Sequence, residues 1–231
     1  IDSKIKANIL NDQFTSVFTQ EDITSIPRKP PPSPYAAMNS IKISPDGVEK
    51  LLSHLNEHKA TGPDMVPAKF LKHTAKVISP AFALLFQASL NQGKIPSDWR
   101  DAYISPLFKK GDRSKPVNYR PISLTSISCK ILEHIISSNI MDHLEKFNIL
   151  TDLQHGFRKS RSCETQLITT IQDLAFGLHN KEQIDAILLD FSKAFDTVPH
   201  ARLLYKAEYY GVHGPILNWI RDFLTDRSQT V

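Results

Sequence analysis

A chain of 231 residues with 41% hydrophobic and 23% charged side chains has the balance of a globular protein, not of a disordered or fibrous one. Its length falls between one and two domains, and it holds no apolar run of the roughly 18 residues that a membrane-spanning helix needs. A net charge of +4 is too mild to name a partner, and Cys129 and Cys163, far apart and in no C-x-x-C pair, suit reduced thiols better than a disulfide framework or a zinc site.

The first twenty residues place Ile9, Leu10, Phe14, Val17 and Phe18 at helical spacing, so residues 1–25 read as an amphipathic linker helix. Five prolines between Pro27 and Pro34 forbid a helix or a central strand there, and residues 26–43 read as an extended linker. Ser44-Pro45 is a helix start, a side-chain cap followed by proline at the first helical position. Val48, Leu51, Leu52 and Leu55 then form an apolar stripe. His54 and His58 have the spacing of a metal pair, but with no further ligand they read as a solvated helix face. The Thr61 to Asp64 run breaks the chain and Pro67 opens the next helix. Pro80 is expected to interrupt it, and a further helix with Phe82, Leu85, Phe86 and Leu90 should end near Gly93.

Residues 102–109 have extended character. Residues 118–125 offer a partner strand across a Gly111-Asp112 loop, with Pro106 and Pro121 pointing to irregular edge pairing. A long helix is predicted over 127–146, on Ile131, Leu132, Ile135, Ile136, Ile140 and Leu144. Thr151 and Gln154 have capping-box spacing, and Leu167, Ile168, Ile171, Leu174 and Leu178 mark another helix. Ile187-Leu188-Leu189 is a continuous apolar run, which reads as a short strand buried on both faces. It ends in Asp190, and Asp196 follows. A strand would carry Asp190 to its C-terminal edge, where α/β sites form; the alternative is an Asp that only caps the next turn. Helices opening at Pro199 and Pro215 complete the chain.

Two basic clusters stand out. Lys109, Lys110, Arg113, Lys115 and Arg120 are opposed only by Asp112, and Arg158, Lys159 and Arg161 form the second. Such clusters attract phosphate, although an ordinary solvated loop has the same composition. Trp99, Tyr119 and Phe157 interleave with them. Rings of this kind can stack on bases, with core packing the default for Trp99 and Phe157.

The segment from Ala186 to His200, containing LLDFSKAFDTVPH, resembles the first palm motif of reverse transcriptases in the form used by non-LTR (LINE-type, jockey/CR1-like) retrotransposons. KATGPDMVP (Lys59 to Pro67), NYRPISLTS (Asn118 to Ser126) and QHGFRKSRS (Gln154 to Ser162) resemble fingers motifs of that family, in its order. Tyr209 to Val231 resembles the helical stretch after the first palm motif. A set of motifs in order is specific where one alone is weak. The resemblance implies an α+β, right-hand polymerase fold, with helix-rich fingers over 44–182 and an incomplete palm over 183–231. It implies an RNA-directed DNA polymerase that copies retrotransposon RNA into DNA. Its partners would be an RNA template, a DNA primer and deoxynucleoside triphosphates, its cofactor Mg2+ as two ions, and its location intracellular, in nucleus and cytoplasm.

It also implies roles. Asp190 would supply one metal-binding carboxylate, and the Phe191 backbone carbonyl would assist at the nucleotide-bound ion; magnesium prefers such oxygen ligands. Phe195 looks like the family's sugar gate, a ring that clashes with a 2′-hydroxyl, although a Phe after a strand is ordinarily core. Backbone N–H groups of Lys193, Ala194 and Phe195 would cradle the triphosphate, and Asp196 would orient the turn. Arg120 matches the fingers arginine that grips the triphosphate with a planar fork, with Lys109 or Lys110 as a second cation. Arg158 and Arg161 would contact a nucleic-acid backbone.

The family's Gly-x-Pro-Gln-Gly segment and (Phe/Tyr)-x-Asp-Asp hairpin have no counterpart in the sequence, and the chain opens on Ile1. It is therefore expected to be a fragment cut at both ends, inactive alone, with an exposed sheet edge and poor solubility. A nucleic-acid-binding remnant without catalysis is the alternative. A metal-dependent phosphatase with Asp190 as nucleophile is disfavoured by Ser192, where the common arrangement has an Asp, and the lack of Gly-x-x-x-x-Gly-Lys disfavours an ATPase.

Overall fold

The computed structural model describes residues 2–25 and 33–231; most of the proline-rich run expected as a linker lies outside the described residues. Helix α1 (Ser3–Thr15) begins where the Asp2 carboxylate accepts the Lys4 N–H at 2.8 Å. Then follow α2 (Pro45–Ser53), α3 (Ala68–His73), α4 (Ala75–Gln92), β1 (Asp101–Phe108), β2 (Tyr119–Leu124), α5 (Ile127–Lys146), α6 (Cys163–His179), α7 (His200–Tyr209), α8 (Gly214–Leu224) and β3 (Ser228–Thr230). The mix of helices with a small sheet is an α+β arrangement. Among the described residues, no helix is long and apolar enough to cross a membrane.

Helix α2 starts as its sequence predicts, with the Ser44 hydroxyl accepting the Gly47 N–H at 3.2 Å. Pro80 does not interrupt a helix; it lies inside α4, and the break falls at Thr74 instead. A proline in mid-helix costs about 3 kcal/mol, but fully burying an apolar side chain returns about 1.5–3 kcal/mol, and Ala83, Phe86 and Leu90 of α4 are all buried. Gly93 ends α4 at a φ of 63°, where an added Cβ would also come within 2.6 Å of the Asn218 Cβ. Around α4 the main core gathers Val48 and Leu52 of α2, Leu71 of α3, Leu132 of α5 and Trp219 of α8. Trp99 joins it, edge-on to Phe86, in line with the default for a large aromatic. The Trp219 indole N–H donates to the Ser89 hydroxyl at 3.0 Å, so its one polar atom is satisfied.

The sheet has the order β2-β1-β3, with β2 antiparallel and β3 parallel to β1. Pro106 stands opposite Pro121 in regular register. The Lys109 N–H donates to the Asn118 carbonyl, and because hydrogen-bonded pairs alternate along an antiparallel ladder, the proline pair falls where neither strand needs a donor. Two prolines are thus accommodated without irregular pairing. A smaller core sits on this sheet, with Phe14 of α1 buried against Ala102 and Ile104 and flanked by Leu10, Tyr119 and Val231.

The predicted strand ending at Asp190 does not form. Residues 182–191 run without helix or strand, and Ile187, Leu188 and Leu189 are 83%, 91% and 87% exposed. Hydrophobicity gives a run reason to be buried, but a strand also needs a ladder partner, and none of β1, β2 or β3 pairs with this one. Helix α6 forms where predicted, yet Leu167, Ile168, Ile171 and Leu178 of its apolar stripe stay exposed. Its capping box is Ser162 with Thr165. The expected Thr151–Gln154 pair lies in a loop of turns instead.

Candidate active site

The connection from β1 to β2 is a stiff loop. The Asp112 carboxylate accepts from both the N–H and the hydroxyl of Ser114 at 2.8 Å, and these bonds, the backbone one foremost, hold its carboxyl below the usual range. Asn118 Nδ2 donates to the Asp112 carbonyl at 2.8 Å and the Tyr119 hydroxyl to the Arg113 carbonyl at 2.9 Å. The Arg113 guanidinium lies 4.7 Å over the Phe108 ring. A loop tied at so many points fixes the strand ends that carry Lys109 and Arg120.

Facing it is the turn after Asp190. Lys193 adopts a φ of 50°, and its carbonyl accepts the Thr197 N–H and hydroxyl, each at 3.1 Å. The segment after α1 straps this turn down. Thr19 donates to the Thr197 carbonyl at 2.9 Å. The Glu21 carboxylate accepts the N–H groups of Ala201 at 2.7 Å and Arg202 at 3.1 Å, at the start of α7. The chain's own cap position there, Pro199, supplies no side-chain bond, so Glu21 meets the open N–H groups that a helix start presents.

Between hairpin, turn and α1 opens a cleft of about 920 Å³. Lys109 and Arg120 line one wall, Asp190, Phe191, Lys193, Ala194 and Phe195 the other, and Gln13 and Phe14 of α1, with Val17 just after it, close it. Residues distant in sequence thus meet in one place. Lys110 is exposed but does not line the cleft. Among the described residues, no ion pair or hydrogen bond occupies the side chains of Asp190, Arg120, Lys109 or Lys193, and the N–H groups of Lys193, Ala194 and Phe195 make no backbone bond. Asp190 therefore caps no turn. Phe195 is 76% exposed and is not a core residue. The α1 wall was missed from sequence, where nothing marks Gln13 or Val17 as facing a site.

No group of three His, Cys, Asp or Glu side chains among the described residues is arranged to hold a metal. The metal-ligating side chains on the Asp190 wall are oxygen donors, the carboxylates of Asp190 and Asp196 and the hydroxyl of Ser192. That donor set fits a hard divalent cation that keeps water and substrate phosphate in its shell. The His54 ring instead donates from Nδ1 to the Lys50 carbonyl at 2.7 Å.

Arg158 and Arg161, for which the resemblance implies contact with a nucleic-acid backbone, are both engaged within the chain. Arg158 grips both Glu145 oxygens, at 2.7 and 2.6 Å, donates to the Thr151 carbonyl at 2.7 Å, and leaves 7% of its side chain exposed. Arg161 donates to the Asp152 carboxylate at 2.8 Å and to its carbonyl at 2.7 Å. These guanidiniums build the loop before α6. Phe157, in that loop, is 83% exposed and not core.

Residues 108–231 match the family model described as reverse transcriptase (RNA-dependent DNA polymerase). Over 198 residues the chain is 31% identical to the probable RNA-directed DNA polymerase from transposon BS of Drosophila melanogaster, covering 81% of this chain and 21% of that protein. It is 27% identical over 209 residues to the RNA-directed DNA polymerase from mobile element jockey of the same fly, covering 89% and 23%. The chain spans about a fifth of the length of these curated relatives.

Proposed function

The chain belongs to the reverse transcriptase (RNA-dependent DNA polymerase) family, and we propose that its cleft is the nucleotide-binding part of an RNA-directed DNA polymerase site that copies retrotransposon RNA into DNA. One observation carries this reading: cations, N–H groups and a carboxylate that find no partner among the described residues belong to residues lining one cleft. A nucleoside triphosphate with its divalent ion has the matching charge. Arg120, with Lys109 beside it, binds the outer phosphates through its fork, and the N–H groups of Lys193 to Phe195 hold further phosphate oxygens. Asp190 and the Phe191 carbonyl are the residues that would hold Mg2+. Such an ion, when bound, stabilises the charge that develops on a transferring phosphoryl group. On this reading the Phe195 ring, which lines the cleft, obstructs a 2′-hydroxyl and so favours deoxynucleotides.

On this reading residues 44–182 are fingers and 183–231 the start of a palm in a right-hand fold, with RNA template and DNA primer as partners. A full two-metal site needs more carboxylates than Asp190 and Asp196 supply, and the sequence holds no adjacent Asp pair. These 231 residues are therefore proposed to bind nucleotide without polymerising it by themselves. A remnant that only grips nucleic acid loses its main support, because Arg158 is spent on Glu145.

Calorimetric titration with dATP tests the proposal. Binding should require Mg2+, weaken about tenfold in Arg120→Ala, as for loss of one charge-assisted phosphate contact, and lose its Mg2+ dependence in Asp190→Asn. Affinity indifferent to both substitutions would overturn it.

A further inference from the structure

Phe157 meets Phe195, a residue that lines the cleft. Their ring centroids are 5.7 Å apart at 82°, edge to face, yet both rings are largely exposed. Phe157 holds a φ of 61°, a left-handed conformation that is an outlier for a bulky residue. The loop is built to keep it there. Arg158, the next residue, clamps Glu145 and the Thr151 carbonyl; Arg161 clamps Asp152; and on the other side the His155 ring meets the Thr165 hydroxyl at 2.8 Å. A loop that only joined α5 to α6 would need neither a strained Phe nor an arginine side chain so largely covered. Phe195, for its part, stands on an exposed turn, and Phe157 is the one aromatic ring against it among the described residues.

We propose that Phe157 is a positioning residue for Phe195. It holds the Phe195 ring in the rotamer that obstructs a 2′-hydroxyl, so that discrimination between deoxy- and ribonucleotides belongs to the pair. The inference rests on the reading of the cleft as a nucleotide site with Phe195 beneath the sugar. An exposed side chain hops between rotamers within nanoseconds. A ring that spends part of its time turned aside admits the ribonucleotide during that time. A deoxynucleotide lacks the obstructed oxygen, so its affinity does not depend on where the ring points.

The test compares dissociation constants for dATP and ATP, in Mg2+, of the wild-type chain and of Phe157→Ala, Phe157→Tyr and Phe195→Ala, with circular dichroism on each. Wild type should prefer dATP and Phe195→Ala should lose that preference. Phe157→Ala should cut it about three- to tenfold, the range of a lost edge-to-face pair, by tightening ATP with dATP unchanged. Phe157→Tyr, which keeps the ring, should retain it. An unchanged ratio in a folded Phe157→Ala, or equal weakening of both nucleotides, overturns the positioning role. If Phe157→Ala does not fold, Phe157→Leu, which keeps bulk and removes the aromatic edge, decides by the same ratio. The two readings fail differently: a ratio lost in Phe195→Ala but kept in Phe157→Ala sinks the positioning role alone, whereas no preference in wild type, or one that survives Phe195→Ala, sinks the nucleotide-site reading and the positioning role with it.

Discussion

Arg158 and Glu145 join α5 to the loop before α6 as a two-pronged pair, Nε to Oε1 at 2.7 Å and Nη2 to Oε2 at 2.6 Å. The hydrogen bond from Arg158 is the main reason the Glu145 carboxyl is held below its ordinary 4.5. A carboxyl depressed in the folded state stabilises that state above the unfolded value, and the contribution is lost as pH falls through the folded one. Amides of residues 151–162 should therefore keep their hydrogen-exchange protection through the ordinary carboxylate range and lose it as pH falls below that range, before the α4 core opens. Glu145→Gln should lower protection at neutral pH and flatten the acid dependence. Equal protection in wild type and variant across this range would refute the assignment.

Glu21 is the second anchor. It caps α7 from outside the helix, and the same segment holds the Asp190 turn through Thr19. Glu21→Ala should cost about 1 kcal/mol in urea unfolding, the usual loss for a helix cap, and should weaken dATP binding because the turn is no longer strapped. An Ala variant as stable as wild type would show that the cap contributes nothing.

How much of this was legible in the sequence depends on the range of the interaction concerned. Ser44-Pro45, the 127–146 helix and the β1–β2 hairpin were readable because caps, periodicity and turn chemistry act within a few residues. Pro80 was misread, since local propensity says break while the burial of Phe86, a tertiary fact, says continue. The 187–189 run was misread for the opposite reason: its composition asks for burial, but pairing depends on strands elsewhere. Asp190, Arg120, Lys109 and the 193–195 turn are named by motif and resemblance, and the fold brings them to line one cleft. The pairing of Arg158 was not legible, because its partner Glu145 lies on the preceding helix, and a basic cluster in sequence does not show which of its charges is already satisfied.

Gly62 should tolerate no side chain. A Cβ there would come within 2.5 Å of the Ser126 nitrogen and the Thr125 carbonyl carbon, both backbone atoms, at the buried start of α5. The Thr61 to Asp64 loop thus docks on the end of β2 through a bare backbone. Neither partner can rotate aside, so Gly62→Ala should cost about 1–3 kcal/mol, the range for overpacking. Chemical denaturation measures it, and a neutral result would mean the two segments separate freely.

The exposed run before Asp190 should govern self-association. Ile187, Leu188 and Leu189 present three adjacent large apolar side chains to water on a backbone without helix or strand that pairs with none of the described strands. Unpaired backbone polar groups together with apolar side chains form a template for another chain. The apparent mass in light scattering should rise with concentration, steeply at high ionic strength and near neutral pH, where salt screens the little repulsion that a net charge of +4 supplies. Leu188→Lys places a charge on the most exposed of the three and should bring the mass back toward monomer, leaving the circular dichroism spectrum and the melting temperature unchanged because that side chain packs on nothing. A wild-type chain that stays monomeric at high concentration, or a Leu188→Lys variant that associates equally, would locate the sticky surface elsewhere, with the exposed stripe of α6 the next to test.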